Sequence, residues 1–191
     1  DLLLAGIGEE ELEVLGKFRP GAVQLEIGVQ STNEQTIREI DRQMDVAKLR
    51  DVVKRIRDGK NIHVHLDLIA GLPYEDYTSF GHSFDEVFAM GPEQLQLGFL
   101  KVLKGSKMHQ KAVDYGLVYR SKPTYEVLYT KWISFDEICR LKRIEEMVEI
   151  YYNSNQFTVT LALAMAMDDS PFRVFEELAG YYERKGYFIK V

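Results

Sequence analysis

The stretch "HVHLDLIAGLPYED", residues 63–76, combines an apolar run with regularly placed polar residues. Its Leu, Ile and Val content predicts a strand over residues 62–69. Because successive side chains of a strand point to opposite faces, His63, His65 and Asp67 share one face and the apolar residues share the other. The sequence therefore predicts a strand with one buried face and one polar face.

Two further segments repeat this alternation. Residues 22–30 place Glu26 on the polar face of a predicted strand, and residues 93–103 place Gln96 in the same way. Parallel strands are normally apolar on both faces, because helices cover both. Three strands with one polar face favour a polar cavity. Two alternatives stay open: a sheet with one solvated face, or buried polar groups that pair with each other.

Apolar residues recur at helical spacing between these strands. We predict a helix over residues 8–18, a short and a longer helix within 31–59, and a helix over 76–91. We expect Glu75 and Asp76 in the first turn of the last of these helices, where the dipole favours negative charge, and assign them no catalytic role. The alternation of strands and helices predicts an α/β fold with a parallel sheet or barrel.

Composition narrows the class of protein. The 191 residues are 46% hydrophobic and 28% charged, with a formal charge of −6. An acidic chain is a poor partner for a nucleic-acid backbone, and no apolar run reaches the length of a membrane span. Cys139 is the single cysteine, so a disulfide framework is excluded and a reducing compartment is favoured. We expect a cytoplasmic protein with neither nucleic-acid nor membrane partners.

The three predicted strands end in glycine-containing segments, "EIGVQS", "LIAGLP" and "GFLKVLKG". Sites in parallel barrels gather at the C-terminal ends of the strands. Glycine there lets a ligand approach the backbone closely. These strand ends therefore predict a ligand site.

Residues 24–42, "QLEIGVQSTNEQTIREIDR", and residues 67–76 closely resemble the second half of the radical S-adenosylmethionine (radical SAM) domain. The branch they resemble is shared by methylthiotransferases, oxygen-independent coproporphyrinogen oxidases and cobalamin-binding radical enzymes. Residues 94–108 and 123–154 look like the C-terminal extension of a cobalamin-binding group described by similarity to the anaerobic Mg-protoporphyrin IX monomethyl ester oxidative cyclase.

This resemblance implies the fold, the domains and the activity. Residues 1–120 would form the C-terminal half of a partial (β/α)6 TIM-like barrel with parallel strands, and residues 121–191 a mostly helical C-terminal extension. Members of the family cleave S-adenosylmethionine reductively, with a [4Fe-4S] cluster, to a radical that abstracts hydrogen from substrate, and the resemblance implies that this protein is an oxidoreductase of that kind. The small-molecule substrate is not fixed by the shared motifs.

The family's cluster motif, C-x3-C-x2-C, does not occur in these 191 residues. "DLLLAG", residues 1–6, looks like the tail of the family's third strand. The resemblance therefore implies a fragment that is inactive alone. Its partner would be the missing N-terminal half of the same polypeptide, which would carry the cluster ligands and a cobalamin domain.

The resemblance also implies which residues bind the cofactor: Glu26, Gln30, Ser31, Arg42, Asp67, Ile69, Gly71, Leu72, Gln96, Leu97, Gly98 and Phe99. Glu26, Gln30 and Ser31 are placed to bind ribose hydroxyls or the amino group, since a carboxylate accepts two charge-assisted bonds from a diol. In the alternative, Glu26 is structural, and Ser31 or Thr32 caps the helix that starts near Asn33.

The remaining residues have roles on the carboxylate and adenine sides. Arg42 could reach the cofactor carboxylate, with a surface ion pair to Asp45 as the alternative. Ile69, Gly71 and Leu72 resemble the adenine-side motif, in which a glycine admits the nucleoside. Residues 97–99 would offer main-chain groups to adenine.

Two other functions are compatible with the polar face. A different α/β-barrel enzyme could use Glu26, His65 and Asp67 for acid–base chemistry. A non-catalytic scaffold or partner-binding module is the other alternative. His63 and His65 could ligate a metal with Asp67, but we assign no metal site.

The C-terminal third is predicted to be mainly helical. A short helix and a return strand follow residue 106, and residues 121–132 are expected to be irregular. Ser134, with Glu137 three residues later, forms a capping box at the start of a long helix. Residues 157–167 are predicted to be helical, and a last helix begins at Ser170-Pro171 and ends near Gly186.

Overall fold

The computed structural model describes residues 7–188, so the strand tail predicted at residues 1–6 lies outside the described part. The strands are β1 (Val23–Gln30), β2 (Ile62–Ala70), β3 (Gln94–Phe99), β4 (Val118–Tyr119) and β5 (Val127–Tyr129). The helices are α1 (Glu9–Gly16), α2 (Glu34–Glu39), α3 (Val46–Asp58), α4 (Tyr77–Phe88), α5 (Lys107–Gln110), α6 (Phe135–Val148), α7 (Thr158–Met165) and α8 (Pro171–Lys185). A π-helical segment, Glu149–Asn153, continues α6.

The first three strands form one parallel sheet in the order β1-β2-β3. Glu26 lies beside His65, and Asp67 lies between Gly28 on β1 and Gln96 on β3. Laterally paired residues of a sheet point to the same face, so Glu26, Asp67 and Gln96 share one face, as the alternation predicted. The parallel α/β arrangement is confirmed, whereas closure into a barrel remains a prediction.

The opposite face of the sheet forms the core. Leu66 and Leu68 at its centre are fully buried. Helices α3 and α4 pack on this side, and their buried stripes are Leu49, Val52, Val53 and Ile56 on α3 and Phe80, Phe84 and Val87 on α4. Because the helices cover the apolar face, the polar face is left accessible at Glu26 and Gln96, which are both exposed.

Residues 121–132 are not irregular throughout, as the sequence had suggested, because β5 pairs antiparallel with β4. The hairpin also bonds to the segment after β3: the Val127 amide donates to the Leu100 carbonyl at 2.8 Å, and the Val102 amide donates to the Tyr125 carbonyl at 2.9 Å. Strand β3 itself ends at Phe99, before the predicted residue 103. The proposed domain boundary at residue 120 falls in the loop between β4 and β5.

Helices α6 to α8 follow the prediction closely. The Ser134 hydroxyl accepts from the Glu137 amide, and Glu137 accepts from the Ser134 amide, which is the predicted capping box. Residues 158–165 are helical, and α8 begins at Pro171 and ends at Lys185, with Gly186 as its C-cap in the left-handed conformation. Within residues 7–188, no helix combines the length and the apolar character needed to cross a bilayer.

Candidate functional site

The C-terminal ends of β1 and β2 bring several predicted site residues together around Gly28. A Cβ atom at Gly28 would lie 2.4 Å from Gln30 Nε2 and 3.5 Å from Arg42 Nη1. Arg42 Nη1 donates to the Gly28 carbonyl at 2.7 Å. Gln30 has a φ of 72°, which turns its side chain back over the glycine. Gly28, Gln30 and Arg42 therefore form a compact polar group that only glycine permits at position 28.

Asp67 of β2 lies beside this group. It is the lateral neighbour of Gly28, so its side chain projects from the same face of the sheet. Its Oδ1 atom is buried and has no hydrogen-bond partner among residues 7–188. Burial first, and then repulsion from the Glu26 carboxylate, raise the pKa of Asp67, while His65 lowers it. Oδ1 is therefore an acceptor that lacks a donor on the polar face.

Below this group the polar face carries its own contacts. Gln24 Nε2 lies 3.1 Å from His65 Nδ1 and 3.4 Å from Glu26 Oε1. Glu26 and Gln96 are exposed on the same face. No set of three His, Cys, Asp or Glu side chains within residues 7–188 is arranged to hold a metal ion.

On the β3 side the floor of the site is apolar. A Cβ atom at Gly98 would lie 3.7 Å from Ile69 Cγ1, so Ile69 and Gly98 are neighbours on the open face. Phe99, the next residue along β3, projects to the opposite face, where the Lys142 ammonium lies 4.9 Å from its ring centroid. The arrangement provides a half-buried aliphatic surface beside the Asp67 carboxyl group.

Four predicted residues are not part of this accessible group. The side chains of Ser31, Leu72 and Leu97 are buried. Gly71 has a φ of 86°, but a Cβ atom there would lie 2.7 Å from Val127 Cγ1. The space above Gly71 is thus filled by the β4–β5 hairpin, which corrects the physical reason that the sequence suggested, namely room for a nucleoside. Their roles in cofactor binding stay predictions.

Three local expectations also need correction. Asn33 itself caps α2, since its side chain accepts from the Gln35 and Thr36 amides, so neither Ser31 nor Thr32 is the cap. Asp76 is the N-cap of α4 and lies outside its first turn. Glu75 precedes the cap and is 1% exposed, so it is a buried carboxyl group and not a solvated charge at the helix dipole.

Sequence reasoning missed two of these features. Gly28 was seen only as part of a glycine-containing strand end, and the return of Gln30 over it depends on a positive φ that the sequence does not reveal. The burial of Glu75 depends on Ser31, 44 positions earlier, which no local pattern reports.

Comparison with known protein families gives a match over the C-terminal part of the chain. The family is DUF4080, described as a protein of unknown function, and its model matches residues 113–191. This segment begins just before β4 and includes the hairpin and α6 to α8.

Two curated proteins show sequence similarity. The chain is 29% identical over 116 residues to the oxygen-independent coproporphyrinogen-III oxidase-like protein HemZ of Bacillus subtilis, covering 61% of this chain and 23% of that protein. It is 29% identical over 90 residues to the oxygen-independent coproporphyrinogen III oxidase of Pseudomonas aeruginosa, covering 47% of this chain and 20% of that protein. The chain spans about a fifth to a quarter of the length of these relatives.

Solved structures of two enzymes also align with half of the chain. Coproporphyrinogen III oxidase (HemN) from Escherichia coli, a radical SAM enzyme, aligns with a TM-score of 0.43 at 25% identity, over 50% of this chain and 21% of its own. The radical S-adenosylmethionine methyltransferase TsrM from Kitasatospora setae aligns with a TM-score of 0.43 at 12% identity, over 50% and 18%. The chain is thus similar in sequence, over 61% and 47% of its length, to these two coproporphyrinogen oxidase proteins.

Proposed function

We propose that the polar group around Gly28 is the ribose and carboxylate side of an S-adenosylmethionine site, in a polypeptide that performs radical oxidoreductase chemistry. The observation that carries this proposal is the buried Asp67 Oδ1, which lacks a donor within residues 7–188. A buried acceptor without a partner costs free energy unless a ligand supplies the donor. Ribose hydroxyls are donors of that kind.

The neighbouring residues fit the other parts of the same ligand. Arg42 brings positive charge to the strand end and suits a carboxylate, which a guanidinium binds with defined geometry. Gln30 offers an amide that can donate and accept, and Ile69 offers an aliphatic surface on which a planar base can pack. The open face thus presents polar contacts beside an apolar surface, as nucleoside sites do.

The residues of this chain do not fit an iron–sulfur cluster. Such clusters are held by several cysteine thiolates, and Cys139 is the only cysteine among the 191 residues. We therefore assign no step to a cluster in this chain and propose that its ligands come from another segment, the missing N-terminal half proposed above. When bound and reductively cleaved, S-adenosylmethionine would supply the radical chemistry that abstracts a hydrogen atom from a substrate. The residues described above bind and orient it.

We also propose, from the resemblance of residues 94–108 and 123–154 alone, that the complete protein belongs with the cobalamin-binding, cyclase-like group. The DUF4080 model matches residues 113–191, but its description names no chemical activity. A cobalamin spectrum in the purified complete protein would support this finer assignment.

The cofactor site can be tested on the chain itself by titration with S-adenosylmethionine, followed by amide NMR shifts. Without cluster anchoring, we expect weak binding, on the order of 1 mM. The shifts should be confined to the strand ends at Gly28, Gln30, Ile69 and Gly98. Arg42→Ala should reduce binding roughly tenfold, the cost of one charge-assisted contact.

Arg38→Ala is the matched control, because Arg38 is exposed and pairs with Glu34 one helical turn away. It should bind like the wild type. Shifts that map to the α6–α8 surface, or an unchanged affinity in Arg42→Ala, would count against the proposed site.

A further inference from the structure

A second polar group lies behind the strand ends, on the buried side. Glu75, which follows the Gly71 turn, is 1% exposed, and Ser31 and Ser83 beside it are also buried. We call Ser31, Glu75 and Ser83 the serine–glutamate cluster. Ser31 directly follows Gln30 at the end of β1, whereas Ser83 belongs to α4. The cluster therefore joins the turn after β1, the loop after β2 and α4.

The hydrogen bonds of the cluster run in one direction. Ser31 Oγ donates to Glu75 Oε1 at 2.5 Å, and Ser83 Oγ donates to the same atom at 3.0 Å. The two hydroxyls in turn accept from the backbone of the turn after β1: the Asn33 amide donates to Ser31 Oγ at 3.0 Å and the Thr32 amide to Ser83 Oγ at 3.1 Å. Glu75 Oε1 is the acceptor on which this chain of bonds ends.

The other oxygen of the same carboxyl group is in a different position. Glu75 Oε2 is buried and has no hydrogen-bond partner within residues 7–188. In the ionised carboxylate, Oε2 would carry part of a buried negative charge with no hydrogen bond to compensate it. In the neutral acid, Oε2 would be an uncharged polar atom without a partner, which costs less free energy. The geometry therefore favours the protonated acid.

Ionisation is correspondingly unfavourable. Burial is the main cause that raises the pKa of Glu75 to about 7 from its ordinary 4.5, and the nearby Asp76 carboxylate adds to it. The two serine hydroxyls act in the opposite direction. The Ser31 hydroxyl faces Glu75 from the turn after β1, and the Ser83 hydroxyl faces it from α4. The charged neighbour of Glu75 is Asp76, the next residue in the same loop.

We propose that Glu75 is a positioning residue whose carboxyl group holds the turn after β1 against the turn after β2 and thereby sets the position of Gln30 in the cofactor site. The cofactor part of this inference rests on the proposed function. Two other bonds cross the same gap, Thr36 Oγ1 to the Pro73 carbonyl at 2.9 Å and Asn33 Nδ2 to the Tyr74 carbonyl at 3.3 Å. They keep the fold when the cluster opens, so opening is expected to be local.

Amide hydrogen exchange on the 191-residue chain tests this directly. If the turn opens with Glu75 ionised, its opening constant should rise with pH by up to about tenfold per unit between 4.5 and 7 and then level off. We expect this rise at the Thr32 and Asn33 amides, after correction for intrinsic exchange, and not at the core amides of β2. Glu75→Gln keeps an acceptor at Oε1 and cannot ionise, so its opening constant should not change with pH.

Asp76→Asn is the matched control, because it removes the adjacent carboxylate while its side chain can still accept from the Ser79 amide. It should keep a pH-dependent opening constant that levels off at a slightly lower pH, because the carboxylate that adds to the raised pKa of Glu75 is gone. If Glu75→Gln does not fold, Ser31→Ala serves as the second test. It removes the hydroxyl that accepts from the Asn33 amide, so it should open the turn at every pH. Equal pH dependence in the wild type and Glu75→Gln, or a closed turn in Ser31→Ala, would overturn the inference.

The affinity for S-adenosylmethionine separates the two proposals. If Glu75 positions Gln30, the affinity of the wild type should fall between pH 5 and 7 and then level off, and that of Glu75→Gln should not change with pH. Absence of binding in every variant, together with the expected exchange behaviour, would reject the proposed function and leave Glu75 as the residue that holds the turn. Binding whose pH dependence is the same in both proteins would reject the positioning role alone.

Discussion

Residue 28 is a glycine, and its lack of a side chain determines how the candidate site is built. The Gln30 amide occupies the volume where a Cβ atom would stand, and Arg42 Nη1 would be in van der Waals contact with that atom at 3.5 Å. Asp67 is the lateral neighbour of Gly28 on the next strand. The Gln30 side chain can lie against the strand beside Arg42 because glycine leaves the space. The polar face predicted from alternation thus becomes a specific group of contacts only at the strand ends.

The first prediction at this scale concerns Gly28→Ala. The added methyl group would meet Gln30 Nε2 at 2.4 Å, and that flexible amide end can move away. We therefore expect a loss of stability of less than about 1 kcal/mol, typical of a tolerated substitution. The affinity for S-adenosylmethionine should fall roughly tenfold, because Gln30 is displaced from the site.

Gly16→Ala is a suitable control, since a Cβ atom there meets nothing within 4 Å. Calorimetry for affinity and urea unfolding for stability would separate the two effects. An unchanged affinity in a folded Gly28→Ala protein would remove Gln30 from the site.

At the scale of elements, the β4–β5 hairpin connects the C-terminal part of the chain to the strand ends. Val127 of β5 is fully buried and fills the space above Gly71. Trp132, just after the hairpin, packs on Tyr74 with ring centroids 4.6 Å apart. The segment that matches DUF4080 therefore forms one wall beside the loop after β2 and is not an independent appendage.

A double-mutant cycle tests this contact. Gly71→Ala should destabilise the protein by about 1–2 kcal/mol from the positive φ alone, and by more from the clash with Val127. Val127→Ala should lower the free energy of unfolding by about 2 kcal/mol, because it removes buried methyl groups. Because the smaller residue relieves the clash, the double variant should be more stable than the sum of the two losses by at least about 0.5 kcal/mol.

Gly105→Ala isolates the backbone contribution, since Gly105 has a φ of 82° and open space where its Cβ would be. Urea unfolding of the four proteins measures the cycle. If Gly71→Ala cost no more than Gly105→Ala, Val127 would not be the neighbour that matters.

The elements that could be predicted from sequence are those whose signals are local. Alternation located β1 to β3 and their common polar face, and the Ser134–Glu137 spacing located the start of α6. The hairpin could not be found in the same way, because its strands are two and three residues long and depend on pairing with residues 100–102. The site residues Gln30, Arg42 and Asp67 came from resemblance, and the contact of Gln30 and Arg42 with the Gly28 position required coordinates.

At the scale of the whole molecule, the described part of the chain covers the candidate site from one side. Helices α3 and α4 fill the apolar face, and Asn153 of the π-helical segment bonds to both the amide and the carbonyl of Leu95, each at 3.0 Å. One edge of β3 is therefore occupied by a side chain. The polar face stays accessible, so a ligand there would gain contacts without the enclosure that tight sites provide.

The last prediction follows from this geometry and from the single cysteine. Anaerobic reconstitution of the 191-residue chain with iron and sulfide should give no iron–sulfur absorption, because Cys139 offers one thiolate where a cluster needs several. The chain should also form no 5′-deoxyadenosine from S-adenosylmethionine under reducing conditions. Cys139→Ser is the matched control and should behave identically, since we assign Cys139 no role. A brown wild-type chain whose colour is lost in Cys139→Ser would show a cluster shared between copies. Cofactor cleavage above a protein-free control would mean that the catalytic apparatus lies within these residues.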